Sequence, residues 1–203
     1  MSLDTHGQNL HHEHPDDVGS RNRLGVILIL VADISFALSM VFVFFYLKSQ
    51  NINEMWLPGP EGDTPGVSPV SSWPAWQVTI VAAIGMAIHR LGLRNARGGN
   101  ADSLPVFGVF SLLAALIASV IQWNTIANAP FAFHQGAYVS VFYLLTIMNM
   151  VHLLITVFIS FGNWNRARLG LYKHNHWQVD IVNIWWIWMT VSSAIGAFCL
   201  SMA

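Results

Sequence analysis

The sequence predicts an all-α fold: a polytopic membrane helix bundle with five transmembrane helices, its N-terminus cytoplasmic and its C-terminus outside. Three observations carry this reading. Of 203 residues, 54% are hydrophobic and only 9% are charged, against about 25% charged in an ordinary soluble domain. Five runs approach the roughly 20 mostly apolar residues that a hydrocarbon core about 30 Å thick demands of a helix. Finally, 8 of the 9 Lys and Arg residues fall in three segments that alternate with the spans, as cytoplasmic loops retain basic residues.

The same figures exclude whole classes of function. A net charge of −1 offers no electrostatic footprint for nucleic acid. A single cysteine, Cys199, excludes an internal disulfide and any cysteine-based zinc or iron-sulfur site within the chain.

Residues 1–20 are polar and lack an apolar stretch, so they read as a cytoplasmic tail and not as a cleaved signal peptide. The run His11, His12, Glu13, His14 has the ligand types for a transition metal, but its polar flanks favour a solvated tail. Residues 21–203 form one transmembrane domain, with spans at about 24–47, 73–91, 104–127, 136–161 and 179–202. The second is short and ends in His89 and Arg90, whose side chains can snorkel to the interface. Arg21 and Arg23 precede the first span. Arg90, Arg94 and Arg97 lie between the second and third, and Arg166, Arg168 and Lys173 between the fourth and fifth. Only Lys48 falls on the other side, beside a Pro/Gly-rich loop from Asn51 to Ser72 that carries Glu54, Glu61 and Asp63.

Lipid offers no compensating hydrogen bonds, so an ionisable group deep in a span is a functional-site candidate by default. There are two, Asp33 and His152. Asp33 lies about nine residues from the cytoplasmic start of the first span and His152 about nine from the cytoplasmic end of the fourth. Both are therefore roughly 13 Å deep on the same side, where they can meet. They read either as a proton-handling or lipid-headgroup site, or as a buried hydrogen bond that fixes packing. Asn149, one turn before His152, and Asn183 in the fifth span are candidates for the same network. Asp180, near the mouth of the fifth span, reads as interfacial.

No catalytic centre emerges, because a haem needs axial ligands and a metal site needs several converging side chains. His89 and His134 belong to opposite faces, so the chain is expected to bind no metal and no redox cofactor. Small residues at four-residue spacing (Ser35 and Ser39, Ala83 and Ala87, Ala114 and Ala118, Ser192 and Gly196) support close helix packing. Trp56, Trp73, Trp76, Trp123, Trp164 and Trp177 read as interfacial belt residues. Trp185, Trp186 and Trp188 sit well inside the fifth span and are expected either to pack against helices of another subunit as well as this one or to face lipid.

Two segments resemble a known family. The stretch Ala137-Tyr138-Val139-Ser140-Val141-Phe142-Tyr143-Leu144, followed by Asn149-Met150-Val151-His152, is similar to the region around Gly-Ser-x-Phe-Tyr and His-x-x-His in subunit III of haem-copper terminal oxidases. The run Val179-Asp180-Ile181-Val182-Asn183-Ile184-Trp185-Trp186 resembles that family's Trp-His-Phe-Val-Asp-x-x-Trp segment. Asp33 falls where the family keeps a membrane carboxyl. The five-span layout and His-rich tail resemble the short bacterial form, particularly that of quinol oxidases. Four positions depart from the pattern. Asn149 stands for the first His of His-x-x-His, Asp180 and Asn183 stand for the His and Asp of the last motif, and Gln122 stands for a Glu in the third span.

The resemblance implies a non-catalytic subunit in a bacterial cytoplasmic membrane, beside a haem-bearing core subunit I and a subunit II. Haem and copper would belong to those partners. Phospholipid would lie between the helices of this chain, and Asp33 and His152, with Asn149 and Asn183 as neutral members, would line that cleft or support proton uptake. An accessory subunit of a nitric oxide reductase is the alternative within the same fold. Outside it stand a proton-coupled transporter using Asp33 and His152, which the lack of an internal repeat disfavours, and a scaffold without a proton role.

Overall fold

The computed structural model describes residues 15–51, 54–61, 66–173 and 175–203. The His11 to His14 run and Asp63 lie outside the described residues. Five helices follow in order: α1 (Pro15–Gln50), α2 (Trp73–Arg97), α3 (Leu104–Ala127), α4 (Ala137–Arg168) and α5 (Trp177–Ser201). A short 3-10 turn, Ala101–Ser103, precedes α3, and no strand occurs among the described residues. All five helices are long and apolar enough to cross a membrane.

The helices exceed the apolar runs. α1 begins nine residues before the hydrophobic stretch, and the start of the expected tail boundary, 15–20, is helical. α2 continues six residues past Leu91 to Arg97. Pro74 and Pro105 open α2 and α3, where a missing N–H costs nothing and the fixed φ suits the first turn. Arg94 and Arg97 close α2, and Arg166 and Arg168 close α4, on the favourable side of each helix dipole.

Alternation of the helices gathers the basic segments at one end, here termed the basic end. Arg97 bonds Asp180 across it, and Arg166 bonds Gln178. The opposite, loop end carries residues 51–72 and 128–136. There the backbone N–H groups of Ala137 and Tyr138 donate to the carbonyls of Met55 and Trp56. Val70 N–H donates to the Tyr138 hydroxyl at 3.0 Å. The loop read from sequence as acidic and Pro/Gly-rich is thus strapped onto the start of α4. Gly136 makes the strap possible. Its φ is +119°, and a Cβ there would meet Met55 O at 2.9 Å and Pro58 at 2.8 Å.

Beneath the strap lies a cluster of rings: Phe44, Trp56, Phe131, Tyr138 and Phe142 are all buried. Phe44 meets Trp56 edge-on at 5.2 Å, and Phe131 meets Phe142 the same way at 5.3 Å, the arrangement that ring quadrupoles prefer. Trp56, expected in the interfacial belt, is therefore a core residue, 5% exposed. Trp73 and Trp123 are exposed as a belt requires.

Helices α2 to α5 form the body of the bundle, while α1 lies mainly against α4 and α5. In the most apolar stretch of α1 only 6% of residues are buried, against 28% to 39% in the other helices. α1 is thus an outrigger. It is held at the loop end by Phe44 and by the Lys48 ammonium donating to Met202 O, and near the basic end by Gly19 against the Trp177 ring. Midway between these points sits its only carboxylate within the apolar stretch, Asp33.

Candidate functional site

Asp33 and His152 meet. His152 Nε2 lies 3.1 Å from Asp33 Oδ1 and 2.9 Å from Oδ2, so the Nε2–H faces the carboxylate. The His152 side chain is 9% exposed and that of Asp33 16%, which removes most of the solvent that would otherwise compete. A third group completes the site: Trp188 Nε1–H donates to Asp33 Oδ2 at 2.5 Å. The carboxylate of α1 therefore receives one donor from α4 and one from α5.

Around this joint the α5 tryptophans take distinct roles. Trp185 Nε1–H donates to Thr156 Oγ1 at 2.8 Å, and its ring stands edge-on to the His152 imidazole at 5.9 Å. Thr156 in turn donates to the His152 carbonyl one turn back at 2.7 Å. Trp186 is fully buried inside the chain itself, over Gly85 of α2. Packing against this chain, one part of the expectation for these rings, holds for Trp186, and exposure to another subunit or to lipid does not. For Trp185 and Trp188 the N–H groups turn inward, because each finds an oxygen acceptor there.

Asn149 belongs to a second polar group one turn away. Its Nδ2 donates to Gln122 Oε1 at 2.9 Å, and its Oδ1 accepts from Ser193 Oγ at 2.8 Å. Gln122 Nε2 donates to Thr146 O at 3.1 Å, so α3, α4 and α5 are tied at one level. The amide at 122, read from sequence as the loss of a carboxyl, is a fully bonded interhelical contact. Asn183 is not brought to either group. Its Oδ1 is buried without a hydrogen-bond partner, and it lies nearer the basic end. His89, expected to snorkel, is instead 3% exposed, and its Nε2–H donates to Val179 O at 3.2 Å. Desolvating an imidazole between α2 and α5 is offset in part by that bond.

A crevice opens beside the joint, between α1, α4 and α5. Phe36, Met40, Leu145, Met148 and Ile195 line it, with Asn149 and His152 at its polar side. Its free volume is small, about 50 Å³, and it is open along one side, so it can seat a segment of acyl chain lying in its mouth but not a phosphate headgroup. The walls are otherwise apolar, the chemistry of an acyl chain and not of a headgroup. Among the described residues, no three His, Cys, Asp or Glu side chains converge as metal ligands.

Outside the membrane spans, Tyr172 packs beneath the α4 to α5 turn with Leu93, Leu104 and Val179. Burial pushes its phenol above the ordinary tyrosine range, and Arg166, by charge and hydrogen bond, opposes part of that rise.

Comparison with known proteins gives this geometry a context. The family model described as cytochrome c oxidase subunit III matches residues 4–194. Cytochrome c oxidase subunit 3 of Rhizopus stolonifer is 24% identical over 175 residues, which cover 83% of this chain and 59% of that protein. For the protein of the same name from Emericella nidulans, identity is 24% over 184 residues, 88% of this chain and 66% of the relative. The Prototheca wickerhamii protein is 25% identical over 197 residues, 89% and 71% respectively. The chain thus spans just under two thirds, or less, of the first two relatives. With the model matched over nearly the whole sequence and five spans in the fold, the chain belongs to the cytochrome c oxidase subunit III family.

Proposed function

We propose that this chain is a non-catalytic accessory subunit III of a respiratory haem-copper oxidase in a bacterial cytoplasmic membrane. It would sit with its basic end toward the cytoplasm. Haem and copper belong to a core subunit I and a subunit II beside it. The observation that carries this reading is the family match over residues 4–194, together with a carboxylate at Asp33 held by His152 and Trp188. The short five-span layout and the distribution of arginines support the membrane and the orientation.

Within the complex, phospholipid acyl chains lie along the apolar crevice between α1 and the α4/α5 pair, against Phe36, Met40 and Met148. The Asp33–His152 pair supports proton uptake for oxygen reduction indirectly. It fixes α1 in place and keeps an ionisable pair inside the membrane, while the reacting oxygen is handled by the partner.

Extraction in mild detergent, followed by mass spectrometry of the co-purifying chains and an optical spectrum, tests the assignment. The expected result is a haem-bearing core subunit in stoichiometric amount, and oxygen-reduction turnover that declines faster when Asp33→Asn replaces the native chain. A colourless protein that migrates alone in native gels would overturn it. Proton-coupled flux from the purified chain in liposomes would point to a transporter instead.

A further inference from the structure

Among the described residues six buried side-chain polar atoms have no hydrogen-bond partner, and four of them lie within the spans in the basic half of the bundle: Ser160 Oγ and Asn163 Oδ1 on α4, and Asn183 Oδ1 and Trp186 Nε1 on α5. The other two are His176 Nε2, just before α5, and Trp56 Nε1 at the loop end. Ser160 is 2% exposed, Asn163 7% and Trp186 0%. In native interiors such atoms are satisfied by protein or by ordered water.

The four are neighbours by register. Asn149 to Ser193, Thr156 to Trp185 and Arg166 to Gln178 are three side-chain bonds that fix α4 antiparallel to α5. That register sets Ser160 level with Asn183, and Asn163 level with Val179. His89 arrives at this level from α2, bonded to Val179 O. One turn toward the loop end, Trp186 lies over Gly85. On α4 itself His152, Thr156, Ser160 and Asn163 fall within about 80° of one another around the helix. The orphaned atoms thus line one seam between α2, α4 and α5, about 10 Å long from Asn163 to Thr156.

Their chemistry selects the occupant. Two amide oxygens and a hydroxyl accept, while the indole N–H and that hydroxyl donate. The set includes no carboxylate to hold a cation and no guanidinium to hold an anion. Water, which both donates and accepts, closes all four.

We infer that the basic half of the α2/α4/α5 interior holds a string of bound water. It runs from the level of His89 and Asn163, past Ser160 and Asn183, to Trp186 and Thr156. Thr156 donates to the backbone of His152, so the string ends one turn from the Asp33–His152 pair. The ring-packed loop end, built on Phe44, Phe131 and Phe142, has a single such atom, Trp56 Nε1, and so has no string of this kind. This assignment does not depend on which partner the chain assembles with.

X-ray hydroxyl-radical labelling of the detergent-extracted protein reads bound water directly, because radicals form from water already in place. Trp186 and Phe142 are equally buried aromatic side chains, at 0% and 1% exposure, in opposite halves of the bundle. Normalised to the reactivity of the free amino acids, Trp186 is expected to label well above Phe142. In Ser160→Ala combined with Asn183→Leu, its labelling falls to the Phe142 level. Equal labelling of the two rings in the native protein would overturn the inference, as would Trp186 labelling unchanged in the double variant. If that variant fails to fold, the native comparison alone decides.

Discussion

Trp188 Nε1–H and Asp33 Oδ2 are 2.5 Å apart, and this contact joins the first helix of the chain to the last. With His152 it gives α1, an outrigger with few buried residues, one of its few directional holds. Interhelical hydrogen bonds in membranes average about 0.6 kcal/mol and reach about 1.7. Trp188→Phe keeps an aromatic ring, though a smaller one, and removes the donor, so it should weaken α1 docking by about 1 kcal/mol or more. A double-mutant cycle with Asp33→Asn, read by detergent unfolding, should return a coupling energy of about 0.5–2 kcal/mol. Additive effects would show that the contact carries nothing.

Asn149→Leu should cost more than Ser193→Ala. The leucine strands Gln122 Oε1 and leaves Ser193 Oγ without its acceptor, and a buried polar group left unmade costs about 1–3 kcal/mol. The serine change removes one donor and leaves Asn149 its bond to Gln122. Thermal unfolding of the two variants side by side checks the order.

Gly85 has no room for a side chain: a Cβ would lie 2.7 Å from Trp186 Cη2 and 3.0 Å from the Ala114 methyl. Gly85→Ala should therefore lower stability by about 1–3 kcal/mol through overpacking, with a changed Trp fluorescence as the ring shifts. Gly196→Ala, with nothing within 4 Å of the new methyl, should fold as the native chain does.

Tyr172 makes the α4 to α5 turn sensitive to alkali. Its folded-state pKa is raised, chiefly by burial, so the protonated phenol is favoured in the fold. The stability it contributes is fully present below the unfolded value of about 10 and is lost as pH rises through the folded value. Ultraviolet phenolate absorbance should show a late-titrating component in the native protein, and Tyr172→Phe should reduce its amplitude by one tyrosine. A native titration curve identical to that of Tyr172→Phe would refute the shift.

Much of the fold was legible because hydropathy reports span number directly, and the depth of a residue follows from its distance to a charged end. That arithmetic is why Asp33 and His152 could be expected to meet. Depth does not fix rotation about the helix axis. Asn183 lies in the same span as Trp185 and Trp188 yet sits on a level nearer the basic end, its Oδ1 buried without a partner. Trp185 and Trp188 carried no visible signal, since an indole in an apolar helix reads as packing until a partner oxygen is known. Gln122 was readable only as a lost carboxyl. A signal for the early start of α1 was present, in Pro15 followed by Asp16 and Asp17, the composition of a first helical turn.

The outrigger position of α1 also has a consequence in time. Asp33 enters the bilayer when the first span is made, but its partners follow 119 and 155 residues later. At roughly 5–20 residues per second, the carboxyl waits on the order of ten seconds in lipid before Trp188 emerges. During synthesis α1 is thus a single helix carrying an unmatched acid. Completion of α4 brings His152 to that acid, and completion of α5 adds Trp188 and closes the site.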